Sequence, residues 1–298
     1  MARGQLRIHL GAAPGVGKTV AMLGEAHRRA ERGTDVVVGI CETHGRAYTA
    51  AQIVGLETVP LRVIEHREAS FRELDLDALL ARAPQVALID ELAHTNVPGS
   101  RNAKRWEDIH ELLDAGIDVI STVNIQHLES LNDVVESITG VKQRETVPDD
   151  VVRAADQIEM VDMTPEALRR RMAHGHIYDA DNVDAALSNY FRPGNLSALR
   201  ELALLWLADR VDEALERYRQ VQGISSPWPT RERIVVALNG RPVGETLLRR
   251  AAPSDTRGAG GEMLATNLAQ DDELVGRNHT SLAAHHTHPD DHGGNVHL

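Results

Sequence analysis

Gly11-Ala12-Ala13-Pro14-Gly15-Val16-Gly17-Lys18-Thr19 lies between residues 6–10, which read as a strand, and residues 19–32, where Val20, Leu23, Ala26 and Ala30 recur at helical spacing up to Gly33. A glycine-rich turn that follows a strand and opens a helix can aim its backbone N–H groups at an anion, and the helix N-terminus adds a favourable dipole. Gly15 and Gly17 allow the positive φ angles and close approach such a turn needs. The stretch matches the phosphate-binding P-loop pattern except at its first position, where Ala12, preceded by Gly11, stands for the usual glycine. On this reading Ala12, Ala13, Pro14, Gly15, Val16, Gly17, Lys18 and Thr19 bind ATP or a close nucleotide. Lys18 reaches the β- and γ-phosphates, and the Thr19 hydroxyl ligates Mg²⁺. The alternative is a chance glycine-rich turn, which would rarely also fall between a strand and a helix.

Outward from this stretch, apolar runs and helical patterns alternate, as in a parallel α/β sheet. Val36–Ile40 and Val86–Ile89 read as strands buried on both faces, as do residues 117–123, with helices expected at 103–114 and 128–138. Asp90-Glu91 closes the Val86–Ile89 run, the arrangement of a Walker B element. Asp90 is expected to hold Mg²⁺, and Glu91 is placed to polarise an attacking water as a general base. Two solvated acids ending a strand are the plainer alternative. Other polar groups fall where strands end on the ligand side: Glu42-Thr43-His44-Gly45-Arg46, His94-Thr95-Asn96, and Thr122 with Asn124. Together they suggest a polar rim around the γ-phosphate. Arg101, Lys104 and Arg105 are candidates for a positive charge beside it, or the solvated start of a helix.

Gln157–Val161 reads as one more strand, and Thr164-Pro165 opens a helix over 166–173. Residues 196–218 form a long amphipathic helix with Leu199, Leu202, Trp206 and Leu215 near one face, read as docked on the chain's own core rather than on a partner. This gives a first domain over 1–222 and a linker over 223–230. An α/β segment follows over 231–252, with a strand at 234–238. From 253 to 298 a tail carries six histidines, His279, His285, His286, His288, His292 and His297, and is expected to be disordered.

The 298 residues are 42% hydrophobic and only 3% aromatic, so the core is built from Leu, Val, Ile and Ala. A formal charge of −12 argues against a nucleic-acid partner. One cysteine, Cys41, leaves no internal disulfide and fits a small core residue. With no apolar leader and no run of membrane-spanning length, the expected setting is the cytoplasm.

The loop at 11–19, Glu42-Thr43-His44-Gly45-Arg46, the run from Asp90 to Arg101, and Gln126-His127-Leu128-Glu129-Ser130-Leu131-Asn132-Asp133 together resemble the N-terminal sensor domain of the KdpD family of bacterial histidine kinases. The likeness continues through Arg144-Glu145-Thr146-Val147-Pro148-Asp149 and Gly194-Asn195-Leu196 to Ala208-Asp209-Arg210-Val211-Asp212, covering about residues 5–220. That family shows an alanine at the position of Ala12. The resemblance implies an ATP-binding cytoplasmic module that modulates the kinase and phosphatase balance in potassium and turgor signalling. The partner it implies is a sensor histidine kinase or response regulator of the potassium-uptake system. Residues 231–252 are similar to the opening β–α unit of the universal-stress-protein-like domain that follows in the family. The family's membrane-spanning, dimerisation and kinase domains have no counterpart in these residues. The expectation is therefore a regulator acting in trans, with a stand-alone P-loop ATPase or kinase, or a truncated remnant, as the competing readings.

Overall fold

The computed structural model describes residues 2–173 and 190–224, together with the strands Arg233–Leu238, Glu262–Asn267 and Asn295–His297. In chain order the elements up to residue 222 are β1 (Leu6–Gly11), α1 (Lys18–Glu31), β2 (Val36–Ile40), α2 (Ala47–Ile53), β3 (Glu57–Thr58), β4 (Arg62–His66) and β5 (Ala69–Glu73). There follow α3 (Leu76–Arg82), β6 (Val86–Ile89), α4 (Arg105–Asp114), β7 (Asp118–Asn124), α5 (Asn132–Thr139), α6 (Asp149–Arg153), β8 (Gln157–Val161), α7 (Pro165–Ala173) and α8 (Pro193–Gln222). The fold is α/β, as read from the sequence. A six-stranded sheet in the order β3-β2-β6-β7-β1-β8 is parallel at every pairing.

The inner strands β2 and β6 are apolar along both faces because helices cover both. Ile8, Leu10, Ala87, Ile89 and Val119 point to the side where α4 supplies Ile109, Leu112 and Leu113 and α6 supplies Val152. Their neighbours Val36, Val38, Val86, Leu88 and Ile120 point to the other side, against Met22, Leu23 and Ala26 of α1. The period-two alternation of the strand thus sorts each run into two cores. From β1 the chain crosses by α1 toward β2, whereas from β7 it passes β1 to reach β8. Adjacent strands whose connections leave to opposite faces open a crevice beyond their C-terminal ends.

The structure departs from the sequence expectation in several places, among them α2, β3, α3 and α6, none of which was anticipated. The helix expected from 128 starts only at Asn132, because Leu128 bridges to Val147 and the chain before it is tied down. Val147 N donates to His127 O at 2.8 Å, and Glu129 N donates to Val147 O at 3.1 Å. The antiparallel hairpin β4–β5 was not anticipated. Its turn places Arg67 and Glu68 at φ 47° and 65°, a conformation usually signalled by Asn-Gly or Asp-Gly, neither of which is present.

In α8, Leu199, Ala203 and Trp206 are buried in the sheet's core and Leu196 in the cluster beside the β1–α1 loop, while Leu202 packs partly buried. This is the docking on the chain's own core expected from the stripe; Leu215 is only half-buried. Among the described residues no helix is long and apolar enough to cross a membrane.

The chain divides into two compact units, Met1–Arg210 and Val211–Leu298. In the second, β9 (Arg233–Leu238), β10 (Glu262–Asn267) and β11 (Asn295–His297) pair parallel in the order β11-β10-β9. Strand structure therefore continues beyond residue 253, where the sequence shows no periodicity; runs this short leave little periodic signal. The turn and helix expected over 239–252 lie outside the described residues, as do His279, His285, His286, His288 and His292.

Candidate functional site

The loop after β1 reaches α1 through two glycines in the left-handed region, Gly15 at φ 87° and Gly17 at φ 109°. Gly17 is also the N-cap of α1, and no side chain caps that end. The first-turn N–H groups are therefore free of side-chain acceptors and face the crevice with the positive end of the helix dipole. Gly11 is needed for a different reason: a Cβ there would lie 2.7 Å from Val16 Cγ2 and 2.8 Å from Lys18 Cδ. Ala12, Ala13 and Val16 are buried and anchor the loop, while Pro14, Gly15 and Gly17 line the crevice.

Lys18 and Thr19, the first residues of α1, point across this opening. Lys18 Nζ donates to Asn124 Oδ1 at the end of β7, at 2.5 Å. Burial pushes the Lys18 ammonium down to about 8, with Asp90 and Glu91 opposing. Thr19 Oγ1 donates to Asp90 Oδ2 at 3.1 Å. Asp90, directly after β6, is buried and accepts further bonds from Glu42 N and Glu91 N, each at 3.2 Å, and from the Thr122 hydroxyl. Burial raises its carboxyl above the usual range even though the Thr122 bond favours the charged form.

Glu91 takes a left-handed backbone, φ 58°, and so does His44 across the cleft, φ 49°. Their side chains meet at 3.0 Å, Nε2 to Oε1. Burial alone would lift the Glu91 carboxyl, but the His44 bond and the charges of His44, Arg105 and His94 overcome it and hold it below the usual range. The same bond raises His44 against its own desolvation. The two form a hydrogen-bonded pair at the wall of the cleft.

These groups line a cleft of about 960 Å³, the size of a small-molecule or cofactor pocket. Of the polar rim expected from the sequence, His44, Gly45, Arg46, His94, Thr122 and Asn124 are on its wall, whereas Glu42 acts through its backbone on Asp90. Asn96 turns away, donating to Asp108 Oδ2 at 2.7 Å and to the Asn102 carbonyl at 3.1 Å. None of the three candidate cations lines the cleft. Arg105 is fully buried, donating to the Asp90 carbonyl at 3.2 Å and to Glu73 at 3.1 Å. Arg101 is 2.7 Å from Asp77 and 2.5 Å from Glu111, and Lys104 donates to Thr95 Oγ1 at 2.8 Å. A buried cation held by a carboxylate and a carbonyl fixes Asp90's backbone rather than offering charge to a ligand. Cys41 is half-buried beside the α1 core, and burial pushes its thiol up.

The sequence reading quoted His127 and Glu145 only as part of the family resemblance and did not assign them or Arg171 to the site, yet all three line the cleft. His127 Nδ1 donates to the Glu145 carbonyl at 2.9 Å, and burial lowers its pKa, so it faces the cleft as a neutral imidazole. Arg171 lies in the run Arg169-Arg170-Arg171 on α7, whose proximity to the loop no local pattern announces.

Outside the cleft lining, His9 of β1, Glu25 of α1 and Glu159 of β8 bring ligand-type atoms within 4.8 Å of one another. The Arg7 guanidinium already lies 2.9 Å from Glu25 and 2.7 Å from Glu159, and Arg29 lies 2.7 Å from Glu25. The cationic role there is filled by arginine.

The sequence model of one protein family, the osmosensitive K⁺ channel His kinase sensor domain, matches residues 2–211. Over 274 residues the chain is 62% identical to the sensor protein KdpD of Mycobacterium tuberculosis, covering 92% of this chain and 32% of that protein. It is 52% identical over 250 residues to the sensor protein KdpD of Escherichia coli, covering 84% of this chain and 28% of the relative. A putative sensor protein KdpD of Synechocystis is 49% identical over 248 residues, covering 83% of this chain and 66% of the relative. The chain thus spans about a third of the length of the M. tuberculosis relative.

Proposed function

Because this chain belongs to the osmosensitive K⁺ channel histidine-kinase sensor-domain family, we propose that it is an ATP-binding regulatory module of a potassium-responsive two-component system. Its β1–α1 loop serves as a Walker-type P-loop. The observation that carries the reading is the meeting of Lys18, Thr19 and Asp90 at an uncapped helix N-terminus, with Thr19 Oγ1 3.1 Å from Asp90 Oδ2 and Lys18 Nζ at the end of β7. A cradle of free N–H groups, one ammonium, and a hydroxyl beside a buried carboxylate is the donor set that a nucleotide phosphate chain with Mg²⁺ requires.

In this role the loop N–H groups and Lys18 neutralise phosphate charge, with Lys18 giving up Asn124 for the ligand. The Thr19 hydroxyl and the Asp90 carboxylate would hold Mg²⁺, Asp90 being kept in place by Thr122 and by the backbone of Glu42 and Glu91. Mg²⁺ supplies charge that offsets the phosphates and favours the ionised form of Asp90 against its burial. Glu91, ionised and bound to His44, is the group placed to accept a proton from water. That feature favours a second reading, a slow ATPase, which a turnover assay separates from regulation by binding alone.

The signalling setting rests on the relatives: the chain carries the sensor portion, and its partner is a sensor histidine kinase or response regulator of potassium uptake in the cytoplasm. Pull-down from the native cell with and without Mg-ATP tests this part. Retention of a two-component protein that changes with nucleotide supports it, and retention of none under either condition counts against it.

A further inference from the structure

Helix α7 presses Leu168 and Met172, one helical turn apart, into a buried cluster with Ala13 and Val16 of the β1–α1 loop and with Phe191 and Leu196. The loop is therefore packed on its outer side by α7, and whatever α7 carries beside that stripe is delivered to the crevice. Arg171 is the residue next to Met172, and it lines the cleft. Its Nη1 lies 3.5 Å from where a Cβ on Gly17 would stand, directly over the last loop residue before α1. Its neighbour Arg169 is used structurally, donating to the Phe191 carbonyl at 2.5 Å. Arg171 itself is half-buried and makes no hydrogen bond or ion pair among the described residues. Other arginines near the site show the contrast: Arg105 is fully committed to Glu73 and Asp90, and Arg101 to two carboxylates. An uncommitted guanidinium, half-shielded from water and beside the uncapped N-terminus of α1, strengthens a site for an anion.

We propose that Arg171 is a phosphate-binding residue of this site, supplied by α7 rather than by the loop or the sheet. It makes α7 responsive to occupancy, and this rests on the nucleotide reading above. A bound phosphate group bridges Arg171 to Gly17 and the α1 N-terminus, so nucleotide ties α7 to the loop more firmly than the Leu168–Met172 packing does alone.

The test is calorimetric titration of the full chain with Mg-ATP, for wild type, Arg171→Ala and Arg171→Lys, combined with amide exchange across residues 165–173. Arg171→Ala is expected to weaken Mg-ATP roughly 10- to 100-fold, the value of a charge-assisted contact, with an unchanged melting temperature in the absence of nucleotide. Arg171→Lys should recover part of that loss, having the charge without the fork. Mg-ATP should slow exchange in α7 of the wild type and not of Arg171→Ala, while the loop is protected in both at saturation. Equal affinities for wild type and Arg171→Ala, or equal α7 protection in both, overturns the assignment while leaving the nucleotide reading intact. If wild type takes up no Mg-ATP at all, the nucleotide reading fails first and the role of Arg171 with it.

Discussion

His44 Nε2 and Glu91 Oε1 stand 3.0 Å apart, each on a residue held in the left-handed backbone region. Such conformations cost of order 1–3 kcal/mol apiece for residues with a side chain, and here two occur face to face across the candidate site. Their geometry is fixed from below: Glu91 N donates to both Asp90 Oδ1 and Thr122 Oγ1, each at 3.2 Å. The carboxylate lines the cleft with the His44 imidazole as its partner, and their bond raises the His44 pKa.

Glu91→Gln keeps the shape of that side chain and removes its charge. The His44 ring should then titrate at lower pH, because the bond that raises it is lost, and NMR titration of the ring protons measures this directly. Mg-ATP affinity should be unchanged within a few-fold, and any turnover should disappear. A variant that hydrolyses ATP at the parental rate removes Glu91 from the role of base.

Asp90→Asn addresses the metal. Asparagine keeps one oxygen to accept from Thr122, puts an amide NH2 where Thr19 and Glu42 N donate, and lacks the charge that holds Mg²⁺. The gain in nucleotide affinity on adding Mg²⁺ should shrink by about tenfold or more, roughly the 1.4 kcal/mol or more expected of one charged contact. The wild-type dependence on Mg²⁺ persisting in the variant would exclude Asp90 as the metal residue.

Much of this was legible from residue order alone. Val36–Ile40 and Val86–Ile89 are strands at the bounds their apolar runs suggest, because strands buried on both faces carry an unbroken signal, and Gln157–Val161 is the further strand that was read. The convergence of Lys18, Thr19 and Asp90 followed from placing a glycine turn and an acid pair at the same end of parallel strands. What escaped has physical causes. Arg105 looked like a helix-start cation, and only tertiary packing shows it buried against Glu73, a residue from a hairpin whose turn uses Arg67 and Glu68 instead of glycine. Helix α3 did carry a readable signal, Asp75, whose side chain accepts from Ala78 N at 3.0 Å. Arg171 was invisible because α7 meets the loop only through the fold.

Trp206 tests the docking of α8. It is buried, its Nε1 donates to Asp149 at 3.3 Å, and the Arg153 guanidinium lies 5.2 Å from its ring. Trp206→Ala should destabilise the chain by ~3–5 kcal/mol in denaturant unfolding. A loss below about 1 kcal/mol, typical of a surface substitution, would mean that α8 is not part of the core.

His9 predicts a pH dependence of stability. Burial lowers its pKa below the ordinary 6.5, although Glu159 and Glu25 pull the other way. A histidine depressed in the folded state is protonated first in the unfolded chain, so stability falls as pH drops below about 6.5. Thermal melts at pH 7.5 and 5.5 should show a drop for wild type that is smaller in His9→Leu. An equal drop in both proteins assigns the effect to other groups.

The central claim is that the β1–α1 loop is a nucleotide site, and Lys18 tests it most directly. Its ammonium faces Asn124 and the cleft rather than the core, so the fold does not need it. Calorimetric titration of wild type with ATP in the presence of Mg²⁺ should show saturable binding at one site. Lys18→Ala should reduce the affinity at least 100-fold while its far-ultraviolet circular dichroism stays unchanged. Equal binding by both proteins, or none by a folded wild type, contradicts the account.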